Sequence, residues 1–181
     1  MSAAITLSRD CPAIQIPYGN SLTAREGTVV YMVHKLGDAY TVRTSQGYLM
    51  RIDSKDADAL GQELEVPAEQ APQERTGPVT EAELWDVLRT CYDPEIPANI
   101  VDIGLIYSCT ITGSDEAGAH VDVVMTLTAP GCGMGQVLQD DVERKLSAVP
   151  GVSRVRVELV FDPPWDMAMM SESARLELGM M

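Results

Sequence analysis

Cys132 is the residue of this sequence best placed to do chemistry. It lies between Gly131 and Gly133 and precedes a predicted helix over residues 136–149. The free N–H groups and the dipole of a helix start favour a thiolate, the form that ligates metal or attacks electrophiles. The flanking glycines let the backbone approach a bulky ligand closely. The competing interpretation is a tight turn that contains an incidental cysteine.

Three carboxylates, Asp93, Glu95 and Asp102, flank the first strand predicted before this loop. They can ligate iron, position a partner or cap turns, and the dipeptide at Asp93 and Pro94 is a common turn opening. Trp165 follows two prolines and is either a rigid lid over the same region or part of the core. The residue types alone leave these alternatives open.

The other cysteines fit structural roles. Cys91 and Cys109 fall on apolar faces of predicted elements and are interpreted as core residues, while Cys11 receives no role. The four cysteines form no CxxC pair, and the sequence opens without the pattern of a signal peptide. We therefore expect reduced thiols and a cytoplasmic protein.

Two enzyme hypotheses are weak. A Cys–His hydrolase needs a histidine near its cysteine, but His120 and Thr128 mark opposite ends of one predicted strand, roughly 25 Å apart at about 3.3 Å per residue. His34 belongs to a different predicted domain. The GxGxG spacing around Cys132 matches neither the dinucleotide fingerprint nor a P-loop. We expect a protein that is not an enzyme.

The net charge of the chain limits the classes of molecule that it can bind. The 181 residues include 27 acidic and 13 basic side chains, for a net charge of −14. Such a chain is poorly suited to bind nucleic acid or an anionic membrane without specific contacts. Protein partners and metal cations remain compatible with it. No stretch approaches about 18 consecutive apolar residues, so no transmembrane helix is expected.

The hydrophobic pattern predicts an α/β (α+β) chain in three parts. Residues 1–62 form a small all-β module, residues 63–79 a linker and residues 80–181 a second domain. The segment around Pro12 and Pro17 is expected to be irregular or an edge. The module is predicted to contain a helical turn near residues 56–60 and strands at residues 28–34, 40–44 and 48–52.

The second domain is predicted as α-β-β-α-β with a three-stranded mixed sheet and a C-terminal helix. Thr80 and Glu83 form a capping box at the start of a helix that stops near Tyr92. The first strand is predicted over residues 103–111, with Tyr107 in its inward-facing row. A polar loop is expected at residues 113–118 before the second strand.

The predicted connections bring three segments to one edge of this sheet. The first two strands form an antiparallel hairpin, and the helix between the second and third strands makes a parallel crossover. Residues 93–102, the loop around Cys132 and residues 162–165 should therefore lie together. Open α/β sheets bind ligands at such edges.

The motifs at these positions resemble a known family. They are similar to the small iron–sulfur assembly domain shared by SufT, the PaaD-type proteins and the eukaryotic cytosolic targeting factors. The resemblance covers about residues 80–181, and segments of the first 61 residues resemble the extra N-terminal segment of SufT, with Asp38 a departure where a second glycine is expected. The second-domain motifs are Asp93-Pro94-Glu95-Ile96-Pro97, Val101-Asp102-Ile103-Gly104-Leu105-Ile106-Tyr107, Thr128-Ala129-Pro130-Gly131-Cys132 and Pro163-Pro164-Trp165.

The resemblance implies an auxiliary factor in iron–sulfur cluster assembly or protein maturation of the SUF type. Its partners would be scaffold or carrier proteins and client apo-proteins. A transient cluster or iron would contact Cys132, Gly131, Gly133 and Thr128, with Cys132, Asp93 and Glu95 as metal ligands and Asp102 and Trp165 as partner contacts.

One cysteine cannot fill a four-thiolate shell, so stable binding needs other ligands or a second chain, including a homodimer. The alternatives are an adaptor that docks assembly proteins and clients without touching metal, and, less favoured, an enzyme that uses Cys132 as nucleophile.

Overall fold

The chain divides into two compact units, Met1–Ala71 and Pro72–Met181. The computed structural model describes residues 4–63, 77–93, 96–131 and 133–179. Residues 64–76, most of the predicted linker, lie outside the described residues, so the linker stays a prediction. None of the helices that the structure describes is long and apolar enough to cross a bilayer.

The first unit is an antiparallel sheet of six strands. Their order across the sheet is β1-β4-β5-β6-β2-β3, and Val30, Val42 and Ile52 are fully buried in its core. Arg9 ties the segment before β2 to the short helix of this unit through ion pairs with Asp56 and Asp58. The elements are β1 (Ala4–Thr6), β2 (Cys11–Ile16), β3 (Asn20–Ala24), β4 (Val29–Leu36), β5 (Ala39–Thr44), β6 (Leu49–Asp53) and a 3-10 helix, Ser54–Leu60.

The all-β character of this unit is confirmed, but the sequence predicted half of its strands. The segment around Pro12, expected to be irregular or an edge, forms β2 inside the sheet order. Pro12 pairs with Thr23 of β3, whereas the pairing of β2 with β6 begins two residues later at Ile14. Because Pro12 lies outside the β6 ladder, its missing N–H costs no hydrogen bond there.

The second unit has the predicted α-β-β-α-β order and a mixed three-stranded sheet. Strand β7 pairs antiparallel with β8, and β8 pairs parallel with β9. Helix α1 packs against β7 and α2, and α2 packs against β9. Gln139 of α2 donates a hydrogen bond to the carbonyl of Val157 in β9 at 2.8 Å. The elements are α1 (Glu81–Leu88), β7 (Ile106–Asp115), β8 (Gly118–Met125), α2 (Gly135–Ser147), β9 (Val152–Leu159), a 3-10 helix (Met167–Met169) and α3 (Glu172–Glu177).

The capping box that begins α1 is confirmed. The N–H of Glu83 donates to the Thr80 hydroxyl, and the Glu83 carboxylate accepts from the N–H of Thr80 at 2.9 Å. The helix ends at Leu88, earlier than the predicted stop near Tyr92, and Arg89 is its C-cap. Leu84 and Leu88 are fully buried on its inner face.

The first strand of the sheet starts later than predicted. Gly104 has φ +77°, a left-handed conformation that interrupts an extended chain, so Ile103 and Leu105 are buried in a turn and β7 begins at Ile106. The ladder shifts between Ile106 and Ser108, which makes Tyr107 an extra residue rather than a member of the inward row. The polar loop predicted at residues 113–118 is mostly strand, with a tight turn between β7 and β8.

Candidate functional site: one edge of the C-terminal sheet

Two backbone hydrogen bonds fix the edge from which the Cys132 loop departs. The N–H of Thr126 donates to the carbonyl of Leu105 at 2.8 Å, and the N–H of Val160 donates to the carbonyl of Met125 at 2.9 Å. The end of β8 therefore lies between the start of β7 and the end of β9. The chain from Thr126 to helix α2, here called the cysteine loop, leaves from the middle of this edge.

The chain after β9 crosses back to the β7 side of the edge. The indole Nε1 of Trp165 donates to the carbonyl of Ile103 at 2.8 Å, and the Tyr107 hydroxyl donates to the carbonyl of Pro163 at 2.7 Å. Trp165 is half-buried and packs against the core of the unit. Of the two roles open to Trp165, the structure therefore supports the core one, and residues 162–165 lie at the predicted edge.

Asp102 is held inside the turn that precedes β7. Its carboxylate accepts a short hydrogen bond from the side-chain amide of Asn99, whose Oδ1 accepts from the N–H groups of Val101 and Asp102. Its carbonyl accepts from the N–H of Ser171 at 2.7 Å. Asp102 thus joins this turn to the start of α3, which is a positioning role.

The acidic motif is described only in part. Asp93 is 7% exposed, and its Oδ1 accepts a hydrogen bond from the N–H of Ile96 at 3.1 Å. Glu95 and Cys132, the other two predicted metal ligands, lie outside the described residues. Within the described ranges, no three His, Cys, Asp or Glu residues are grouped as metal ligands would be. The predicted ligand set therefore stays a prediction.

The residues beside Cys132 present an open backbone. Gly131 and Gly133 are exposed, and Gly131 has φ +81°. A Cβ built on Gly131 would meet no heavy atom of the described residues within 4 Å. Gly135 is different, because its Cβ would lie 2.5 Å from Cδ1 of Leu127. A side chain at position 135 would therefore require Leu127 to shift, whereas the space around position 131 is open among the described residues.

No side chain among the described residues caps the start of α2. Its N-cap is Met134, which makes no side-chain capping bond, and the first turn carries no acidic residue. Thr80 caps α1 and Ser171 caps α3 through their hydroxyls. The first N–H groups of a helix attract an anion, so the cysteine loop ends at a position that favours negative charge. Thr128 is half-buried within this loop.

Sequence reasoning missed two residues at this edge. Thr126 is 1% exposed, and its hydroxyl has no hydrogen-bond partner among the described residues. No local sequence pattern indicates this. Asn99 organises the Asp102 turn, and its position three residues before Asp102 is a typical turn signal that could have identified it.

The cysteines other than Cys132 are buried, and His120 is engaged elsewhere in the second unit. Cys91 and Cys109 are buried, as predicted, and Cys11 is also buried. Burial raises the pKa of the Cys109 thiol to about 11. His120 contacts Asp115 at 2.7 Å near the turn between β7 and β8, at the opposite end of the sheet from the cysteine loop.

Comparison with known proteins agrees with the fold of the second unit. The profile of the family described as iron–sulfur cluster assembly protein matches residues 81–159. A Fe–S protein maturation auxiliary factor of Porphyromonas gingivalis is 48% identical over 100 residues, which cover 55% of this chain and 91% of the relative. The auxiliary factor SufT of Staphylococcus aureus is 40% identical over 87 residues, covering 48% and 94%.

One solved structure shares this unit. A domain of unknown function, DUF59, from Bacillus anthracis has a TM-score of 0.50 and 36% identity, covering 56% of this chain and 92% of that structure. Together, the mixed sheet and these identities define an iron–sulfur assembly domain. The chain belongs to the iron–sulfur cluster assembly protein family. Its SufT-like character, expected from the motifs, is confirmed by relatives that bear that name.

Proposed function

We propose that this chain is a cytoplasmic, non-enzymatic auxiliary factor that handles iron or an iron–sulfur cluster as transient cargo through Cys132. The auxiliary role in iron–sulfur protein maturation follows from membership of the family. The observation that carries it is 48% identity over 91% of the Porphyromonas gingivalis auxiliary factor. The finer assignment, to one thiol and its surroundings, rests on the edge described above.

The cysteine loop has three properties that suit a soft metal ligand. It leaves the middle strand of the sheet, so segments from both neighbouring strands flank it. Its backbone is exposed at Gly131 and Gly133. It ends at the uncapped start of α2, where N–H groups stabilise a thiolate. Thr128, in the same loop, is proposed as a further contact to cargo.

The carboxylates have unequal roles in this proposal. Asp93 accepts a hydrogen bond from the N–H of Ile96, so we assign it the ordering of the acidic motif, and we keep its carboxylate as a proposed metal ligand beside that of Glu95. Asp102 and Trp165 hold the turn and the returning chain in place, and their surface is proposed to meet protein partners.

One thiolate and one or two carboxylates bind a cluster weakly compared with four thiolates. Thiolates from a carrier, a client or a second copy of this chain would complete the shell. This incompleteness suits a factor that passes cargo on.

The test is anaerobic reconstitution with iron and sulfide, followed by visible absorption spectroscopy and a client-enzyme assay in cells that lack the wild-type protein. Cys132→Ser should lose both the absorption bands and client activation. Cys11→Ala is the matched control, because it removes a buried thiol from the other unit and should retain both. Full client activity with Cys132→Ser would remove the thiol from the mechanism. The metal-free adaptor would then be the function, with the surface around Asp102 and Trp165 as its docking site.

A further inference from the structure

The second unit exposes its large apolar side chains in one stretch of sequence. Among its described residues, those side chains all follow β9: Phe161 is 44% exposed, Met167 49%, Met169 37% and Leu176 52%. Every large apolar side chain among the described residues from Gly77 to Val160 is buried or half-buried. Single exposed apolar residues are ordinary, whereas exposed apolar residues that lie next to one another mark interaction sites.

Two of these residues lie beside the cysteine-loop edge. Met167 and Met169 belong to one 3-10 turn. The Sδ atom of Met169 lies 3.9 Å from the Tyr107 hydroxyl, which also donates to the carbonyl of Pro163. The Met169 carbonyl packs against Gly104, where an added Cβ would lie 2.5 Å away. Tyr107 therefore contacts both Pro163 and Met169, and Met167 is two residues away in the same turn; these four residues are here called the methionine surface.

The acidic residues in this part of the sequence favour a partner with basic side chains. Residues 161–179 contain four acidic side chains, at positions 162, 166, 172 and 177, and one basic side chain, at position 175. The whole chain carries −14. A second copy would bring the same acidic segment against this one, and like charges facing each other oppose association. A basic partner gains from the same field.

The methionine side chains favour a partner that presents the apolar face of a helix. Methionine is unbranched and polarizable, so a methionine surface adapts to several apolar faces. Basic amphipathic helices place apolar residues at i, i+3, i+4 and i+7 with Lys and Arg beside them, and such helices dock into apolar surfaces with acidic rims. Nothing about this recognition requires the cysteine loop to be loaded.

We propose that the methionine surface docks a basic amphipathic helix of a partner protein and so holds that partner beside the cysteine loop. The proposal deepens the proposed function and rests on it for the identity of the partner as a carrier or client. The binding step itself needs neither metal nor the Cys132 thiol.

The test measures fluorescence anisotropy of a labelled Leu/Lys peptide, about 18 residues long and amphipathic as a helix, with the full chain. A scrambled peptide of the same composition and charge is the peptide control. The double variant Met167→Gln with Met169→Gln keeps the net charge and should weaken binding about tenfold. The matched control, Tyr18→Gln with Tyr48→Gln, removes two exposed apolar side chains from the other unit and should bind as the wild type does.

The outcomes separate the docking proposal from the proposed function. Tighter binding of the amphipathic peptide than of its scrambled form, lost with the methionine variant and kept by Cys132→Ser, supports docking. Equal binding by the methionine and tyrosine variants, or equal binding of both peptides, overturns it. Analytical ultracentrifugation that finds a dimer dissociated by the methionine variant also overturns it, because the occupant would be a second copy. The single variant Met167→Gln leaves the contact of Met169 with Gly104 unchanged. Its peptide affinity and thermal midpoint show whether the double variant loses binding because it misfolds. Failure of cluster binding in Cys132→Ser bears on the proposed function alone.

Discussion

The indole Nε1 of Trp165 donates a hydrogen bond to the carbonyl oxygen of Ile103, 62 residues earlier in the chain. The bond fastens the chain that follows β9 to the turn that precedes β7. Together with the bond from Tyr107 to Pro163, it brings the motif at residues 101–107 and the motif at residues 163–165 to one side of the sheet. The edge that carries the cysteine loop is therefore held by contacts distant in sequence, and its geometry depends on both flanks of the domain.

The four thiols should differ widely in reactivity. Cys132 lies between exposed glycines, while Cys11, Cys91 and Cys109 are buried. Burial also raises the pKa of Cys109 to about 11 and raises the pKa of Cys11, which lowers their thiolate fractions near neutral pH. In the folded protein, iodoacetamide should label Cys132 first, as followed by peptide mass spectrometry over a time course. Labelling of Cys109 at the same rate would mean that the cysteine loop is closed.

Serine substitutions should separate a core thiol from a loop thiol. Cys109→Ser places a hydroxyl in the apolar core and should cost roughly 1–3 kcal/mol in the free energy of unfolding. Cys132→Ser changes a side chain in a glycine-rich loop and should cost about 0.5 kcal/mol. Urea unfolding of both variants measures the difference. A large loss in Cys132→Ser would place that thiol in the core.

A methyl group at Gly104 should be costly. The residue has φ +77°, and its Cβ would lie 2.5 Å from the Met169 carbonyl oxygen. Strain and overpacking together predict a loss of roughly 2–5 kcal/mol for Gly104→Ala. Gly131→Ala is the control, because it has a similar φ but open space around its Cβ; it should cost about 1–2 kcal/mol. Equal losses in thermal or urea unfolding would show that the Met169 contact yields without cost.

The elements that local rules govern could be predicted from the sequence. The capping box of Thr80 and Glu83 involves residues three apart, and the burial of Cys109 follows from alternation within one strand. Strand β2 could not be found in this way, because Pro12 is tolerated only through its position relative to β3 and β6. The register at Tyr107 was mispredicted for a similar reason. Its place depends on the turn at Gly104 and on a bond to Pro163, 56 residues away.

The candidate site shows the same division. Connectivity alone indicated that residues 93–102, the cysteine loop and residues 162–165 meet at one edge, since hairpins and parallel crossovers fix which strand ends are neighbours. The hydrogen bond from the Asn99 amide to the Asp102 carboxylate depends on side-chain geometry. Their separation by three residues does not determine that geometry. The roles of Cys132 and Glu95 as ligands stay predictions.

The unpartnered hydroxyl of Thr126 gives an unusual stability prediction. An isosteric Thr126→Val removes a buried polar group that makes no hydrogen bond to any described residue, so it should be neutral or stabilising by up to about 1 kcal/mol. Thr126→Ser keeps the hydroxyl and loses a methyl group, and should cost about 0.8 kcal/mol. Denaturant unfolding compares them. A clear loss in Thr126→Val would reveal a bound water or another partner for the hydroxyl.

Acid should weaken the first unit through Asp58. Arg9 donates to both oxygens of the Asp58 carboxylate, at 2.7 and 2.6 Å, and this lowers the pKa of Asp58 below its ordinary value of 3.8. A carboxyl whose pKa is lower in the folded state stabilises the fold above the unfolded value, and that stability is lost as the pH falls through the folded value. Unfolding measured from neutral pH to below about pH 4 should show this decline.

Asp58→Asn should flatten the acid limb of that curve and lower stability at neutral pH. Adding Arg9→Gln to Asp58→Asn would also break the ion pair of Arg9 with Asp56, so the double variant should be less stable than Asp58→Asn at neutral pH. An unchanged acid limb in Asp58→Asn would assign the acid sensitivity to other carboxylates.

The hydrogen bond from Gln139 to the Val157 carbonyl has a consequence for how other molecules meet this protein. Val157 lies in the middle of β9, an outer strand of the sheet, and Arg154, Arg156 and Glu158 stand exposed on the same strand. A foreign strand that tried to extend the sheet would have to displace Gln139 and tolerate those charges. Strand β9 is thus protected against edge-to-edge pairing with a strand of another molecule.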